Sequence, residues 1–160
     1  MRLYHGSNIA VKSPKLQPTV RALDFGPAFY LTSSLEQARK WAKLKTYRSR
    51  TGVPTVSAYE FDDTLELNIR TFHSADSDWL QYISINRKNR TNIIKDDYDI
   101  VIGPVANDDT MPVINLYLKG SYSEEEAVKR LLPQNLKDQY AFKTEKALNL
   151  LTFCEVMIYE

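Results

Sequence analysis

DFGPAFYLTSSLEQARKW, residues 24–41, carries a strand, a stop and a helix in one run. Ala28 to Thr32 is an apolar segment bounded by Gly26-Pro27 and by two serines, the composition of a short strand between turns. Ser33 or Ser34 can cap the helix that follows, with Glu36 or Gln37 three residues on. Leu35, Ala38, Trp41, Ala42 and Leu44 then recur at helical spacing. Tyr30 is the odd member of the strand. A buried tyrosine brings a hydroxyl that needs a partner and a flat ring that stacks well on another. It suits a packed core, and it equally suits the wall of a site for an aromatic ligand.

Outward from this run, short elements alternate. Residues 2–4 read as a brief strand entering a turn at His5-Gly6-Ser7-Asn8, and Val53 to Phe61 as a strand with Leu65 to Ile69 as its partner. A helix from about Ser77 to Asn86 precedes a buried strand, Tyr98 to Ile102, that ends at Gly103-Pro104. The next helix starts near Asp108 or Asp109, tolerates Pro112 in its first turn and stops at Gly120. Ser123-Glu124-Glu125-Glu126 is a capping box for a helix ended by Pro133. Gln139 to Phe142 is a strand, Thr144 caps a short helix to about Leu150, and Thr152 to Tyr159 closes on a strand. Helices inserted among strands, without strict alternation, predict a single α+β domain over residues 1–160.

A chain of 160 residues with one cysteine and two histidines has room for a core, forms no internal disulfide and offers no zinc-ligand spacing. Cys154, in the apolar stretch LTFCEVMIY, reads as a packed, inert thiol. No signal-peptide core or long apolar run is present, so a soluble, cytoplasmic protein is expected. The net charge of +1 hides an asymmetry: residues 1–60 carry ten Lys or Arg against three Asp or Glu. Six of those cations fall in RKWAKLKTYRSR, Arg39 to Arg50. That run is either a solvated helix face or an attractor for phosphates and other acidic partners.

Three stretches, taken in order, now share a pattern: Tyr4-His5-Gly6-Ser7, then Phe29-Tyr30-Leu31-Thr32 with Trp41, then Gln139-Tyr140 followed by Thr144-Glu145-Lys146-Ala147-Leu148. Together they resemble the ADP-ribosyltransferases of the diphtheria-toxin class, which include the poly(ADP-ribose) polymerases. Small bacterial toxin-type members are the most similar. The resemblance implies a split β-sandwich with inserted helices around an NAD cleft. It implies NAD⁺ as co-substrate and no metal. Partners would be a macromolecular acceptor, protein or nucleic acid, and a paired antitoxin, with no membrane. His5 would bond the adenosine ribose, and the backbone of Gly6 the nicotinamide carboxamide. Tyr30 and Trp41 would clamp nicotinamide, with Ala38 on the same helical face and Ser7 and Asn8 lining the turn. A pyridinium cation between two electron-rich rings gains stacking and cation–π attraction of about 1–2 kcal/mol.

Where the family has a glutamate, this chain has Gln139. Breaking the glycosidic bond creates an oxocarbenium-like sugar that a carboxylate stabilises; glutamine keeps the hydrogen bond and loses the charge. By the family's logic the resemblance then implies transfer of a single ADP-ribose, with His5, Tyr30 and Gln139 as the catalytic set. An NAD glycohydrolase and a non-catalytic NAD-binding module are the alternatives. If Gln139 only holds the ribose, Gln139→Glu preserves or raises NAD cleavage. Asp138, Glu145 or Glu60 is a candidate substitute carboxylate, each equally a solvated charge. His73 reads as a surface histidine; Asp62-Asp63, Asp96-Asp97 and Asp108-Asp109 read as turn and cap chemistry, with Asn107 to Asp109 shaping a loop near the cleft. No Gly-rich phosphate loop is present, so the binding is not of the dinucleotide-fold type.

Overall fold

Apolar residues at alternate strand positions must be covered on one face, and here two sheets cover each other. The computed structural model describes residues 1–16, 24–64, 66–88 and 97–160. Its elements run β1 (Arg2–Ser7), β2 (Phe29–Leu31), α1 (Leu35–Ser49), β3 (Thr55–Phe61), β4 (Ile69–Thr71), α2 (Ser77–Lys88), β5 (Ile100–Pro104), α3 (Met111–Leu118), α4 (Glu124–Leu131), β6 (Asp138–Phe142), α5 (Glu145–Leu148) and β7 (Leu151–Ile158). One sheet has the order β1-β3-β7, the other β2-β6-β5-β4, and every pairing is antiparallel except β4 with β5.

Leu3, Tyr59 and Phe61 of the first sheet meet Phe29, Leu31, Ile100, Tyr140 and Phe142 of the second in a core between them. The period of two sends Val101 and Ala141 to the opposite face, where they pack with Trp79, Leu80 and Ile83 of α2, Ile114 of α3 and Leu131 of α4. On the outer face of the first sheet Ala38 and Ala42 of α1 sit against Val56. The layers are thus helix, sheet, sheet, helices, an α+β architecture. Where β1 and β2 approach, Tyr4 and Thr32 exchange two backbone hydrogen bonds of 2.9 Å in an isolated bridge between the sheets.

Local signals carried most elements. Ser34, Ser123 and Thr144 each accept from the amide three residues on, as capping residues should. Several expectations are corrected. His5-Gly6-Ser7 is strand and not turn, because β1 pairs with β3 from Arg2 through Ser7. The β3 partners are β1 and β7; β4 pairs with β5 instead, and Leu65 lies outside the described residues, as does Asp96. Cys154 is exposed, since β7 is an edge strand that turns Phe153 inward and its neighbours out. His73 is exposed, as read from its turn-forming surroundings. No described helix is long and apolar enough to cross a membrane.

Candidate functional site

A cleft of about 410 Å³ is lined by residues of β1, β2 and β6 and by one face of α1. A volume of this size suits a small-molecule site. His5 and Gly6 of β1, Tyr30 of β2, Trp41 of α1 and Gln139 of β6 all line it. Residues far apart in sequence converge because β2 pairs with β6 and the chain just after β2 meets β1 through the Tyr4–Thr32 bridge.

Gly6 owes its identity to the helix behind it. A Cβ at this position would lie 2.0 Å from the carbonyl oxygen of Ala38 and 2.8 Å from the amide nitrogen of Ala42. The bare strand therefore lets α1 lie directly on β1. Strand geometry also fixes where the Gly6 backbone points. Tyr4 bonds Thr32 on the side away from β3, and backbone groups two residues apart share a direction. The N–H and C=O of Gly6 consequently point away from β3 as well, a donor and an acceptor from one residue.

His5 is stacked on Phe29 with centroids 4.1 Å apart, and its Nδ1 is 2.7 Å from the carbonyl of Tyr30. A carbonyl only accepts, so Nδ1 carries the proton and Nε2 is left as an acceptor. Burial, with Lys45 adding repulsion, lowers its pKa from 6.5 to about 4, against the opposing effect of the Tyr30 carbonyl. The imidazole is neutral at physiological pH. The linkage follows in sign: below pH 6.5 the unfolded chain binds a proton at His5 that the folded chain refuses until about pH 4. Stability is therefore expected to fall as pH drops through that window. Denaturant melts of wild type and His5→Gln across pH 4–7 check this: the variant should lose that part of the slope.

Tyr30 packs against the core and also lines the cleft. Its oxygen accepts from the Phe25 amide at 3.1 Å and its hydroxyl donates to the Gly26 carbonyl, so the phenol fastens the loop that precedes its own strand. Burial and the nearby Asp24 charge push its pKa well above 10, so the phenol stays protonated. Trp41 lines the same cleft from α1, along a stripe that includes Gln37, Lys40, Leu44, Lys45 and Arg48. Those positions repeat at helical spacing, so one helix face delivers an aromatic ring together with three cations. Arg87 adds a fourth, against the carboxylates of Asp24 and Asp108.

Gln139 is only 3 % exposed, and its Nε2 donates to Asp24 Oδ2 at 3.0 Å and to the Pro104 carbonyl at 3.3 Å. Asp24 is the residue that the spacing of motifs did not find. Its other oxygen is gripped by Arg87 through Nε, at 2.8 Å, and through Nη2, while Oδ2 also accepts from the Ala106 amide at 3.2 Å. A signal existed: Asp24 is one of three acids in the basic first 60 residues, and it opens the stretch that holds Tyr30.

Other expected members lie elsewhere. Ala38 is fully buried against Gly6 and Ser7 is buried with its hydroxyl on Asn8 Oδ1 at 3.3 Å; neither lines the cleft. Asn8 bonds Thr51 at the far end of α1. Of the substitute carboxylates, Asp138 is taken by Thr32 and Ser33, Glu60 pairs with the terminal amine at 3.3 Å, and Glu145 is exposed on α5. Asn107 and Asp108 do reach the cleft, where the Asn107 side chain accepts from the amides of Asp109 and Thr110. Among the described residues no cluster of His, Cys, Asp and Glu is grouped to hold a metal ion.

A family model described as "Protein of unknown function (DUF3990)" matches residues 1–153, and the chain belongs to that family. No curated protein matches the sequence.

Proposed function

We propose that the protein is a mono-ADP-ribosyltransferase of split β-sandwich type, cleaving NAD⁺ at the nicotinamide glycosidic bond and passing ADP-ribose to a macromolecular acceptor. The observation that carries this reading is convergence: His5, Gly6, Tyr30, Trp41 and Gln139, from four separate elements, line one cleft. The roles follow from chemistry. The Tyr30 and Trp41 rings bind the nicotinamide cation by stacking and cation–π attraction. Gly6 offers its carboxamide a donor and an acceptor, and neutral His5 accepts from a ribose hydroxyl through Nε2. Gln139 holds the reacting ribose. Lys40, Lys45, Arg48 and Arg87 draw in the pyrophosphate.

The rest of the α1 charge suits an acidic acceptor. Arg39, Lys43 and Arg50 are exposed, and among the described residues no ion pair holds them. A toxin that acts in the cytoplasm and is held in check by an antitoxin is the biological setting we favour.

Labelled NAD⁺ incubated with the protein and a cell lysate is expected to label a macromolecule. Tyr30→Ala and Trp41→Ala should each reduce labelling about tenfold, the loss of one stacking face. NAD⁺ recovered intact, with Tyr30→Ala indistinguishable from wild type, sinks the reading. Release of free ADP-ribose alone makes water the acceptor.

A further inference from the structure

We infer that Asp24 is a positioning residue for this reaction: it fixes the Gln139 amide so that its carbonyl oxygen faces the ribose, and its charge polarises that amide. The inference rests on the proposed NAD⁺ cleavage at the same site. Its basis is the orientation of one buried side chain. An amide can sit either way round, and its neighbours decide. Two acceptors, Asp24 Oδ2 at 3.0 Å and the Pro104 carbonyl at 3.3 Å, converge on Gln139 Nε2. The reverse orientation would set three oxygens against one another. Oε1 is therefore the polar atom that Gln139 can present to a ligand, and it can only accept.

Asp24 is itself held rigid. Arg87 takes Oδ1 through two nitrogens, and Gln139 and Ala106 both donate to Oδ2. With four donors on it, the carboxylate is fixed in place. It stands one amide away from the position where a lone glutamine would lack a negative charge. In the reaction the C1′–nitrogen bond breaks, its electron pair leaves with neutral nicotinamide, and the electron-poor C1′ takes a lone pair from the acceptor. The acceptor's proton passes to solvent. As positive charge grows on the ribose, its hydroxyl donates more strongly, and an oxygen polarised by Asp24 receives that hydrogen bond better in the transition state than in the ground state.

Asp24→Asn removes the charge and keeps one acceptor oxygen, which can still receive the Gln139 amide with the new NH2 turned toward Arg87. Nicotinamide release is expected to fall 10- to 100-fold in kcat, with KM for NAD⁺ within threefold of wild type. Asp24→Asn with Gln139→Glu exchanges the two groups, keeping one carboxylate and one amide in contact. That double variant should recover to within tenfold of wild type. A structural role for Asp24 lowers the melting temperature but leaves kcat of the folded protein in place and gives no such recovery.

Release by Asp24→Asn within threefold of wild type overturns the inference and leaves the proposed activity standing. A wild type that releases no nicotinamide overturns both. Should Asp24→Asn not fold, the exchanged pair decides: kcat below a hundredth of wild type counts against the inference, and a tenth or more supports it.

Discussion

Gly6→Ala is expected to lower the melting temperature by about 6–12 °C and to abolish NAD⁺ binding in the protein that still folds. The methyl group would stand 2.0 Å from a backbone oxygen of α1, and the atoms it meets are main chain, which has no rotamer by which to yield. The helix must lift off the strand. Overpacking of this kind costs typically 1–3 kcal/mol and more where the backbone has to move. A cost of about 3 kcal/mol in a domain of this size corresponds to the shift given. The functional loss comes from the same displacement, because α1 carries Trp41 and the three cations that wall the cleft. Thermal melts and calorimetric titration with NAD⁺ measure the two together. Stability lost with binding intact would mean that Trp41 has no part in the site.

Gln139→Glu is expected to destabilise the fold by about 2–4 kcal/mol and to lower nicotinamide release, the reverse of what the resemblance to ADP-ribosyltransferases implies. Read from the sequence, a glutamate here restores a missing carboxylate. Read from the fold, it sets a second acid against Asp24 across a contact of 3.0 Å at a side chain 3 % exposed. The donor to Asp24 and to the Pro104 carbonyl disappears at the same stroke. Two carboxylates at this separation cannot both ionise, so one retains a proton well above the usual carboxylate range. The folded variant then binds a proton that the unfolded chain releases, and its stability deficit should grow from pH 5 to pH 8. Denaturant melts at the two pH values test this directly. A variant as stable as wild type at both would mean that Asp24 and Gln139 are not in contact.

These two substitutions mark how far local pattern reaches. Strands and helices were legible because their signals lie within a few residues: a serine before an apolar period, a Gly-Pro before a strand. That His5, Gly6, Tyr30, Trp41 and Gln139 share one cleft was legible through their order along the chain. The partners of those residues were not. Asp24 meets Gln139 across 115 residues of sequence, and nothing near either one specifies the other. The resemblance assigns the Gly6 backbone to a ligand, whereas what its missing side chain makes room for is a helix. The resemblance gave Ala38 to the site by its helical face and Ser7 by its place beside Gly6; Ala38 is instead spent on packing against Gly6, and the Ser7 hydroxyl is turned to Asn8. The partner of β4 was misread for a related reason, since pairing order is settled by the packing of both sheets at once.

The backbone bridge between Tyr4 and Thr32 bears on how such a site keeps its shape. If the sheets rock against each other, that bridge is the fulcrum, and displacement grows with distance from it. His5 and Gly6 lie one and two residues past it on one lever, and Tyr30 two residues short of it on the other. At about 3.3 Å per strand residue, the arms are roughly 7 Å long. A rotation of several degrees moves such points by well under an ångström, while the free ends of the sheets swing several times as far. The residues that require the tightest registration stand where the machine has the least play.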